Sequence, residues 1–296
     1  MTPERSNVIP VFDGPLSGTK GRFLGAILID AGKLTLEEAE RVLNVQREQG
    51  LRFGDAALKL GLITEADLQL ALAHQFDYPY LVPGDSEISP DVVAAYQPFS
   101  DQVEALRALR SQLTLRWFGV EEGGRALSVV SPSRGEGRSY MAANLAVLFS
   151  QLGQRTLLID ADLRSPRQHE FFKLDNRSGL SAVLSGRGDA ESIQRVPSFR
   201  DLSVLPAGAI PPNPQELLTR PLFQRLLSEM ANEFSVIIVD TPARERYADA
   251  QAACLATGAA LMLVRKDHTR INTVKSFVNE LASARIRVLG TVMDEY

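Results

Sequence analysis

From residue 125 onward, the sequence alternates short apolar runs with longer amphipathic ones, and this alternation limits the available folds more than any other feature. Strand-like apolar runs lie at residues 126–131, 156–160, 202–205, 235–239, 259–264 and 286–292. Helical periodicity lies between most of them, over residues 139–152, 215–231 and 269–284. Strands that alternate with helices form mostly parallel sheets covered by helices on both faces. The pattern therefore predicts an α/β fold with a mostly parallel sheet.

Composition excludes several classes of function. The chain has 296 residues, a length typical of two domains, and its net charge of −4 argues against nucleic acid as a partner. The single cysteine, Cys254, leaves no internal disulfide, and three histidines are too few for a cluster of metal ligands. No apolar run reaches the roughly 18 residues of a membrane span, and the N-terminus lacks the core of a signal peptide. We therefore expect a cytoplasmic protein, which would work at a membrane only through a partner.

The N-terminal part of the chain contains an internal repeat, because residues 23–46 superimpose on residues 52–75. Matching positions hold the pairs Gly32 and Gly61, and Thr35 and Thr64. Each copy is typical of a short helix that ends at a glycine, followed by a threonine N-cap and a second amphipathic helix. Thr35 with Glu38 also has the spacing of a capping box.

The repeat predicts a small all-helical domain over residues 21–82, since two such units bury their apolar faces against each other. Residues 1–20 are rich in Pro, Gly, Ser and Thr without a sustained period, so we expect a flexible leader. Residues 83–100 hold several prolines and are expected to form a linker. The α/β domain then covers residues 101–296 and begins with an amphipathic helix over 101–118.

Residues 131–140, SPSRGEGRSY, follow the first apolar run of the α/β domain and resemble the phosphate-binding loop G-x-x-x-x-G-K-[ST]. Gly135 and Gly137 allow backbone N–H groups to close around phosphates, and the positive end of the following helix points at them. Ser139 is placed to bind Mg²⁺ through its hydroxyl. Arg138 stands at the usual lysine position, and glycine-rich turns between a strand and a helix are often purely structural. The loop alone is therefore a weak indication.

Carboxylates at the ends of two further apolar runs strengthen it. LLIDADL, residues 157–163, ends a strand in Asp160 and places Asp162 two residues on, and VIIVDTP ends another strand in Asp240. In a parallel sheet, ligands bind at the carboxyl ends of the strands. Such carboxylates can meet a bound metal and an attacking hydroxyl, or they can merely cap loops. Together with the loop, they favour a nucleotide site.

The region 101–296 resembles the bacterial tyrosine kinases that regulate polysaccharide chain length, which are relatives of the MinD/ParA ATPases. SPSRGEGRSYMAANLA resembles the family's Walker A loop, LLIDADLRSPRQHEFF its Walker A′ motif, and VDTPA its Walker B motif. EALRALRSQL resembles its oligomerisation helix, and GLSAVLSG and PAGAIPPNPQELL resemble later blocks. The subgroup that this pattern resembles most is the EpsG type, which pairs with a separate transmembrane chain-length regulator.

The resemblance implies ATP–Mg²⁺ binding and phosphoryl transfer to tyrosine. It implies that the nucleotide is held at Gly135, Glu136, Gly137, Arg138, Ser139, Tyr140 and Asp294. It implies a metal site at Ser139, Asp160 and Asp240, and catalytic roles for Arg138, Asp160 and Asp162. A transmembrane chain-length regulator is the implied partner, and a homo-oligomer would form through Glu104, Arg107 and Arg110. Charges at that spacing also form ordinary ion pairs on a solvated helix face.

Three departures from the family pattern bear on activity. Arg138 keeps the positive charge of lysine but is longer, planar and forked, so transition-state stabilisation is expected to fall. Asp294 stands where the family commonly has an asparagine near the adenine, and an ionised carboxylate only accepts hydrogen bonds. The usual C-terminal tyrosine cluster is missing, and only Tyr296 remains.

The repeat resembles the N-terminal module of type II secretion and pilus ATPases, some of which bind cyclic di-GMP. Arg52 matches the arginine of that module in the second copy, whereas Phe23 stands at the equivalent place in the first. The resemblance therefore allows cyclic di-GMP binding at Arg52. A docking or structural module without a ligand is the alternative, since turns and packing are sufficient to explain the repeated Gly, Leu and Gln residues.

Two functions follow for the whole chain. The first is a cytoplasmic tyrosine autokinase of exopolysaccharide assembly, activated by a membrane partner. The second is a catalytically weakened regulator that senses nucleotide and signals through ATP-dependent oligomerisation. A positioning ATPase of the MinD/ParA type is a third alternative, which the blocks around 165–172 and 206–218 disfavour.

Overall fold

The computed structural model of the chain describes residues 23–75 and 79–295, apart from positions 82, 83, 85, 122, 189 and 246. Its contacts divide the chain into two compact units, with the boundary between residues 78 and 79. The expected leader, residues 1–20, and Tyr296 lie outside the described residues. Among the described helices, none is long and apolar enough to cross a bilayer.

The N-terminal unit consists of two pairs of helices, one pair from each copy of the repeat. The helices are α1 (Leu24–Asp30), α2 (Leu36–Gln49), α3 (Phe53–Lys59) and α4 (Glu65–Gln75). Gly32 and Gly61 follow the first helix of each pair with a φ of +66°, a conformation that glycine adopts without strain. The core of the unit includes Val42, Ala56 and Ala57, which are fully buried.

The second helix of each pair begins with a reciprocal cap. The Thr35 hydroxyl accepts a hydrogen bond from the backbone of Glu38, whose carboxylate accepts one from the Thr35 N–H at 2.8 Å, as the capping-box spacing predicts. In the second copy Thr64 and Asp67 make the same two bonds. The shorter aspartate thus replaces glutamate without loss of the cap.

The residues expected to form a linker are instead part of the C-terminal unit, so that prediction is wrong for the described part of 83–100. A short helix α5 (Val93–Tyr96) lies there, and Val92, Ala94 and Ala95 are fully buried. Asn144 fastens the segment, because its side chain accepts from the Ala94 N–H at 2.9 Å and donates to the Asp91 carbonyl at 3.1 Å. The prolines of the segment had suggested a linker, whereas its small apolar residues fit closely against a neighbouring helix.

A seven-stranded sheet forms the centre of the C-terminal unit, as the alternating pattern predicts. The strands are β1 (Ala126–Val130), β2 (Thr156–Asp160), β3 (Gln194–Arg195), β4 (Leu202–Leu205), β5 (Val236–Asp240), β6 (Ala259–Arg265) and β7 (Arg287–Asp294). Their order is β3-β4-β2-β5-β1-β6-β7. All neighbours are parallel except β3 and β4. Two-residue β3 is too short to show a period in the sequence.

Helices cover both faces of this sheet. They are α6 (Asp101–Leu113), α7 (Arg138–Ser150), α8 (Gln168–Phe172), α9 (Leu180–Leu184), α10 (Pro214–Leu218), α11 (Pro221–Glu233), α12 (Asp249–Thr257) and α13 (Ile271–Ser283). Leu158 of β2 joins the core that contains α7, while Leu157 and Ile159 join the core on the opposite face. Successive residues of a strand point to opposite faces, so both faces are apolar and buried.

Two predicted helices differ from the observed ones. The segment 215–231 is two helices, because Pro221 has no N–H to donate and disfavours a helical conformation at Arg220. The helix expected over 101–118 continues past Leu113 as one π-helical turn, Thr114–Phe118. That turn buries Trp117, whose indole N–H donates to the Ala126 carbonyl at 2.9 Å.

Sheet order brings the candidate site residues together. Strand β5 lies between β1 and β2, and Asp160 is the register partner of Asp240. The carboxyl ends of β1, β2 and β5 therefore meet at one edge, where α7 begins. This is the edge at which parallel sheets bind ligands.

Candidate active site

The loop between β1 and α7 has the backbone of a phosphate cradle. Gly135 and Gly137 have φ values of +73° and +80°, and Gly137 is the N-cap of α7. These positive φ values turn the loop around the helix N-terminus, whose free N–H groups favour an anion. Beside the loop lies a cleft of about 280 Å³, which Ser139 and Asp162 line. The structure thus brings the predicted loop and the D-x-D motif to one cavity.

Glu136 supports the loop from inside. It is fully buried, and its carboxylate accepts the Ser133 N–H at 2.8 Å and the hydroxyl of Thr269. Thr269 in turn accepts the Arg265 N–H at 2.8 Å, which ties the loop to the end of β6. Glu136 can therefore contact a nucleotide only through its backbone. No sequence signal pointed to Thr269, because the contact joins residues far apart in the chain.

Arg138 is directed into the protein. Its Nε donates to the Thr241 carbonyl at 2.8 Å, and one terminal nitrogen donates to the Ser133 carbonyl at 2.8 Å and to the Ser131 hydroxyl. The residue is 9% exposed. Burial lowers the pKa of the guanidinium, and the charge of Asp240 raises it. Arg138 therefore fastens the loop to the ends of β1 and β5, a role the motif did not predict.

Asp160 organises the turn after β2. One carboxylate oxygen accepts the Asp162 N–H, and the other accepts the N–H groups of Arg167 at 3.0 Å and Gln168 at 2.9 Å. Burial and the charge of Asp240 hold the pKa of Asp160 well above its usual range. Asp160 Oδ2 already accepts two N–H groups, whereas Oδ1 accepts only one, so a direct bond to a metal would use the remaining lone pair of Oδ1.

Asp162, by contrast, lines the cleft directly. One of its oxygens accepts the N–H groups of Arg164 at 3.2 Å and Ser165 at 2.9 Å. These two bonds fix the Asp162 side chain at the start of the turn that follows β2. Asp162 is therefore held where a substrate hydroxyl can approach it.

Asp240 has an oxygen available for a ligand. Its Oδ2 accepts the Gln168 amide at 2.8 Å, while its Oδ1 is buried and has no hydrogen-bond partner among the described residues. Burial raises the pKa of Asp240 to about 6, against the opposing effects of the Ser139 hydroxyl and the Gln168 amide. A buried carboxylate oxygen without a donor is costly unless a cation compensates it.

The residues present fit Mg²⁺ bound together with phosphates. Within the described residues, no group of three His, Cys, Asp or Glu side chains forms a ligand cage. Mg²⁺ usually takes one or two protein ligands and completes its shell with phosphate oxygens and water. The Ser139 hydroxyl and Asp240 Oδ1 are suitable for that arrangement.

Gln168 is a site residue that the sequence reasoning missed. Its amide nitrogen donates to Asp240 Oδ2 at 2.8 Å and to the Ser139 carbonyl at 3.1 Å. It therefore links the end of β5 to the start of α7. Its place within the Walker A′-like block was the only available signal.

A second cleft, of about 550 Å³, adjoins the other side of the α7 N-terminus and contains Asp294 and Tyr140. A Cβ at Gly137 would lie 3.4 Å from Asp294 Oδ2, so this carboxylate is next to the loop. Apolar side chains line much of the remainder, beside Asp101, Gln102 and Glu295; they include Leu106, Leu109, Met141, Leu263 and Val292. An apolar cleft beside a phosphate loop suits a flat, hydrophobic base.

The other predicted contact residues lie outside both phosphate loop and strand ends. On α6, Glu104 and Arg107 form an ion pair within the helix, and Arg110 donates to the Leu148 carbonyl at 2.9 Å. Arg110 thus contributes to packing within the unit. Arg52 is exposed at the N-terminus of α3.

Comparisons with known proteins agree with this geometry, although no family model matches the chain. Over 209 residues the chain is 33% identical to tyrosine-protein kinase YwqD of Bacillus subtilis. The aligned residues cover 71% of this chain and 87% of YwqD. The solved kinase domain of Escherichia coli tyrosine kinase ETK matches with a TM-score of 0.67 and 29% identity, over 71% of this chain and 81% of that one. The solved structure of the chimerical protein CapA2B2 matches with a TM-score of 0.64 and 32% identity, over 78% of this chain and 98% of that one.

The identity to YwqD extends over most of that kinase, so it is not limited to the phosphate loop. The kinase resemblance read from the sequence is therefore confirmed, whereas the likeness of the repeat to secretion-ATPase modules stays a prediction. On the strength of this relationship, the chain belongs to the family of bacterial tyrosine-protein kinases.

Proposed function

We propose that this chain transfers the γ-phosphoryl group of ATP to tyrosine in a Mg²⁺-dependent reaction, and that it thereby regulates exopolysaccharide chain length and export. The convergence of Ser139, Asp162 and Asp240 on one edge of the sheet, beside the phosphate loop, carries the proposal. Phosphoryl transfer needs mainly positioning and charge neutralisation, and this edge offers both.

Each part of the site has a task in this reaction. Magnesium-bound ATP supplies the phosphoryl group and part of the charge that neutralises it. The backbone N–H groups from Gly135 to Ser139 hold the phosphates at the positive end of α7. The Ser139 hydroxyl and Asp240 Oδ1 hold the metal, and Gln168 and Asp160 keep the two strand ends in place. Asp162 orients the tyrosine hydroxyl and accepts its proton.

The second cleft is the proposed base-binding site. Its apolar side chains would stack on adenine, with Asp294 at the end that adjoins the loop. An ionised Asp294 accepts a hydrogen bond from the exocyclic amine of adenine but offers no donor to a ring nitrogen. Tyr140, on the first turn of α7, lies between both clefts and would contact the nucleotide from the side.

A partner and an oligomer complete the proposal. We infer that a transmembrane chain-length regulator recruits the chain to the inner face of the plasma membrane. Glu104, on the exposed side of α6, is the residue of the predicted oligomer contact that is most accessible to a second copy. Arg107 is already paired with it, so an intersubunit contact would have to rearrange this pair.

Arg138 favours a second candidate function, a nucleotide-sensing regulator with weak catalysis. Its guanidinium is bonded to three oxygens of the protein through Nε and one terminal nitrogen, and these bonds restrain its movement towards a phosphate. Nucleotide binding would persist, since the backbone N–H groups of the loop hold the phosphates. Such a chain would signal through ATP-dependent oligomerisation.

One experiment separates the two functions. The purified full chain is incubated with ATP and Mg²⁺, with and without the cytoplasmic segment of its membrane partner, and phosphotyrosine is measured by mass spectrometry. Phosphotyrosine under either condition supports the kinase. ATP binding without phosphotyrosine under both conditions supports the regulator and refutes the kinase.

For the N-terminal unit, exposed Arg52 is accessible for stacking on a guanine base, which keeps cyclic di-GMP as a proposed ligand. Calorimetry with cyclic di-GMP tests this, with Arg52→Ala as the matched variant. Heat that disappears in the variant supports the site. No heat at micromolar protein assigns the repeat a docking or structural role instead.

A further inference from the structure

The described tyrosines of this chain differ in how far their side chains are exposed. The sequence contains Tyr78, Tyr80, Tyr96, Tyr140, Tyr247 and Tyr296, and the structure describes Tyr80, Tyr96, Tyr140 and Tyr247. Tyr96 donates its hydroxyl to the Ile88 carbonyl at 2.6 Å, and Tyr80 and Tyr140 are partly buried. Tyr247, in contrast, is 38% exposed. Among the described tyrosines it is the one with an exposed side chain, since the other three are partly buried.

Tyr247 also lines the phosphate cleft. It lies in the connection between β5 and α12, shortly after Asp240, and borders the same 280 Å³ cavity as Ser139 and Asp162. The phenol of Tyr247 therefore lines the same cavity in which ATP would place its γ-phosphoryl group and in which Asp162 would accept the phenolic proton. Tyr140 borders the same cavity, but its hydroxyl oxygen is buried, whereas Tyr247 is exposed.

The ring of Tyr247 is held in place by Arg164. The guanidinium carbon of Arg164 lies 3.5 Å from the ring centroid, a stacking cation–π contact. Arg164 is itself fixed by two bonds to the buried carboxylate of Asp249, at 2.7 Å and 3.2 Å. These bonds raise the pKa of Arg164 further, so its charge is permanent. A cation that covers the ring can also bind a phosphate placed on its hydroxyl.

We propose that Tyr247 is an intramolecular phosphorylation site of this chain, an inference that rests on the proposed kinase function. The Tyr247 hydroxyl oxygen bonds to the γ-phosphorus of ATP, and the bond from that phosphorus to the β,γ-bridging oxygen breaks. ADP leaves with the electron pair, and the phenolic proton passes to the Asp162 carboxylate. The product side chain carries a charge of about −1.5 to −2 and pairs with Arg164.

The test uses the full chain with ATP and Mg²⁺ and, if required, the partner's cytoplasmic segment. Phosphotyrosine is located by peptide mass spectrometry in the wild type, in Tyr247→Phe and in the matched variant Tyr296→Phe. Tyr247→Phe keeps the ring beneath Arg164, so circular dichroism should show an unchanged fold. The initial rate per chain is measured at several protein concentrations, and a tyrosine-containing copolymer is assayed in parallel.

The proposal expects phosphate on the peptide that contains Tyr247, its loss in Tyr247→Phe and its retention in Tyr296→Phe. It also expects a rate per chain that does not change with protein concentration. Phosphotyrosine at other positions with Tyr247 unmodified overturns it, and so does a rate per chain that rises in proportion to concentration. Copolymer phosphorylation with an unmodified Tyr247 refutes this site alone. An absence of phosphate on both chain and copolymer also contradicts the proposed kinase function.

Discussion

Replacing Arg138 with lysine tests what the arginine does in the phosphate loop. The guanidinium donates three hydrogen bonds to the protein, to Thr241, Ser133 and Ser131. A hydrogen bond from a charged group contributes about 1.5–3 kcal/mol. If the arginine must release one such bond to reach the transferring phosphoryl group, the barrier rises by the same amount. Every 1.4 kcal/mol corresponds to about a tenfold change in rate.

We therefore expect Arg138→Lys to raise kcat between about 10-fold and about 100-fold, since a lysine ammonium on a flexible stem reaches the phosphates without breaking these bonds. KM for ATP should change far less, because the backbone cradle supplies most of the binding. Without nucleotide the variant should be less stable, with a Tm lowered by roughly 2–4 °C for each kcal/mol lost. ADP release and phosphotyrosine formation at saturating ATP measure the first effect, and thermal unfolding measures the second.

Arg134→Lys is the matched control, because Arg134 lies in the same loop but is exposed. It should leave kcat and Tm close to those of the wild type. A kcat of Arg138→Lys equal to or below that of the wild type, with ATP binding retained, would show that the arginine is no handicap and would refute this reasoning.

Three further predictions concern the fold and its titrating groups. Asn144→Ala should lower the free energy of unfolding by about 2 kcal/mol, because it leaves the Ala94 N–H and the Asp91 carbonyl without their partner. Urea denaturation measures this free energy, and the exposed Asn279→Ala serves as the control. Equal stabilities of the two variants would contradict the prediction. Hydrogen bonds from Thr64 and the nearby Lys33 lower the pKa of Asp67 to about 2. The folded carboxyl thus titrates below the unfolded one, so Asp67 should stabilise the N-terminal unit above pH 4 and lose that effect as the pH falls towards 2. After allowance for solvent screening, Asp67→Asn should cost about 1 kcal/mol at pH 7 and progressively less as the pH falls to 2 and below, whereas a cost that does not depend on pH would be at odds with this. Burial raises the pKa of Cys254 to about 12, so a thiol reagent at pH 8 should modify this single cysteine only as fast as the protein unfolds, and modification of the native protein within seconds would count against the buried position.

The sequence predicted the parts of the fold that repeat with a regular period. The six longer strands and the parallel sheet follow from apolar runs of four residues or more, and both threonine caps follow from their spacing. Strand β3 could not be predicted, because two residues show no period. The prediction of a linker was wrong for a different reason. The Pro and Ser residues of the segment indicated a linker, although Val92, Ala94 and Ala95 are fully buried.

The candidate site divides in the same way. Residues named from local motifs, such as Gly137, Ser139, Asp162 and Asp240, lie at one edge of the sheet, and their roles stay predictions. Contacts between distant segments were invisible to motif reading, above all Gln168 with Asp240 and Glu136 with Thr269. The direction of Arg138 also depended on the backbone carbonyls around it, which no sequence pattern specifies. The motifs therefore predicted which charged residues lie at the site, whereas tertiary contacts determine which of them a ligand can reach.

The central claim is that the edge formed by β2, β5 and the phosphate loop transfers the phosphoryl group to tyrosine. Asp162→Asn and exposed Asp175→Asn remove the same charge at different places, one in the cleft and one on the surface. Phosphotyrosine formed from ATP and Mg²⁺ by the full chain is measured in both variants and in the wild type. The account predicts wild-type phosphotyrosine in Asp175→Asn and a loss of at least about 100-fold in Asp162→Asn, with ATP still bound. Equal phosphotyrosine in all three proteins would contradict it.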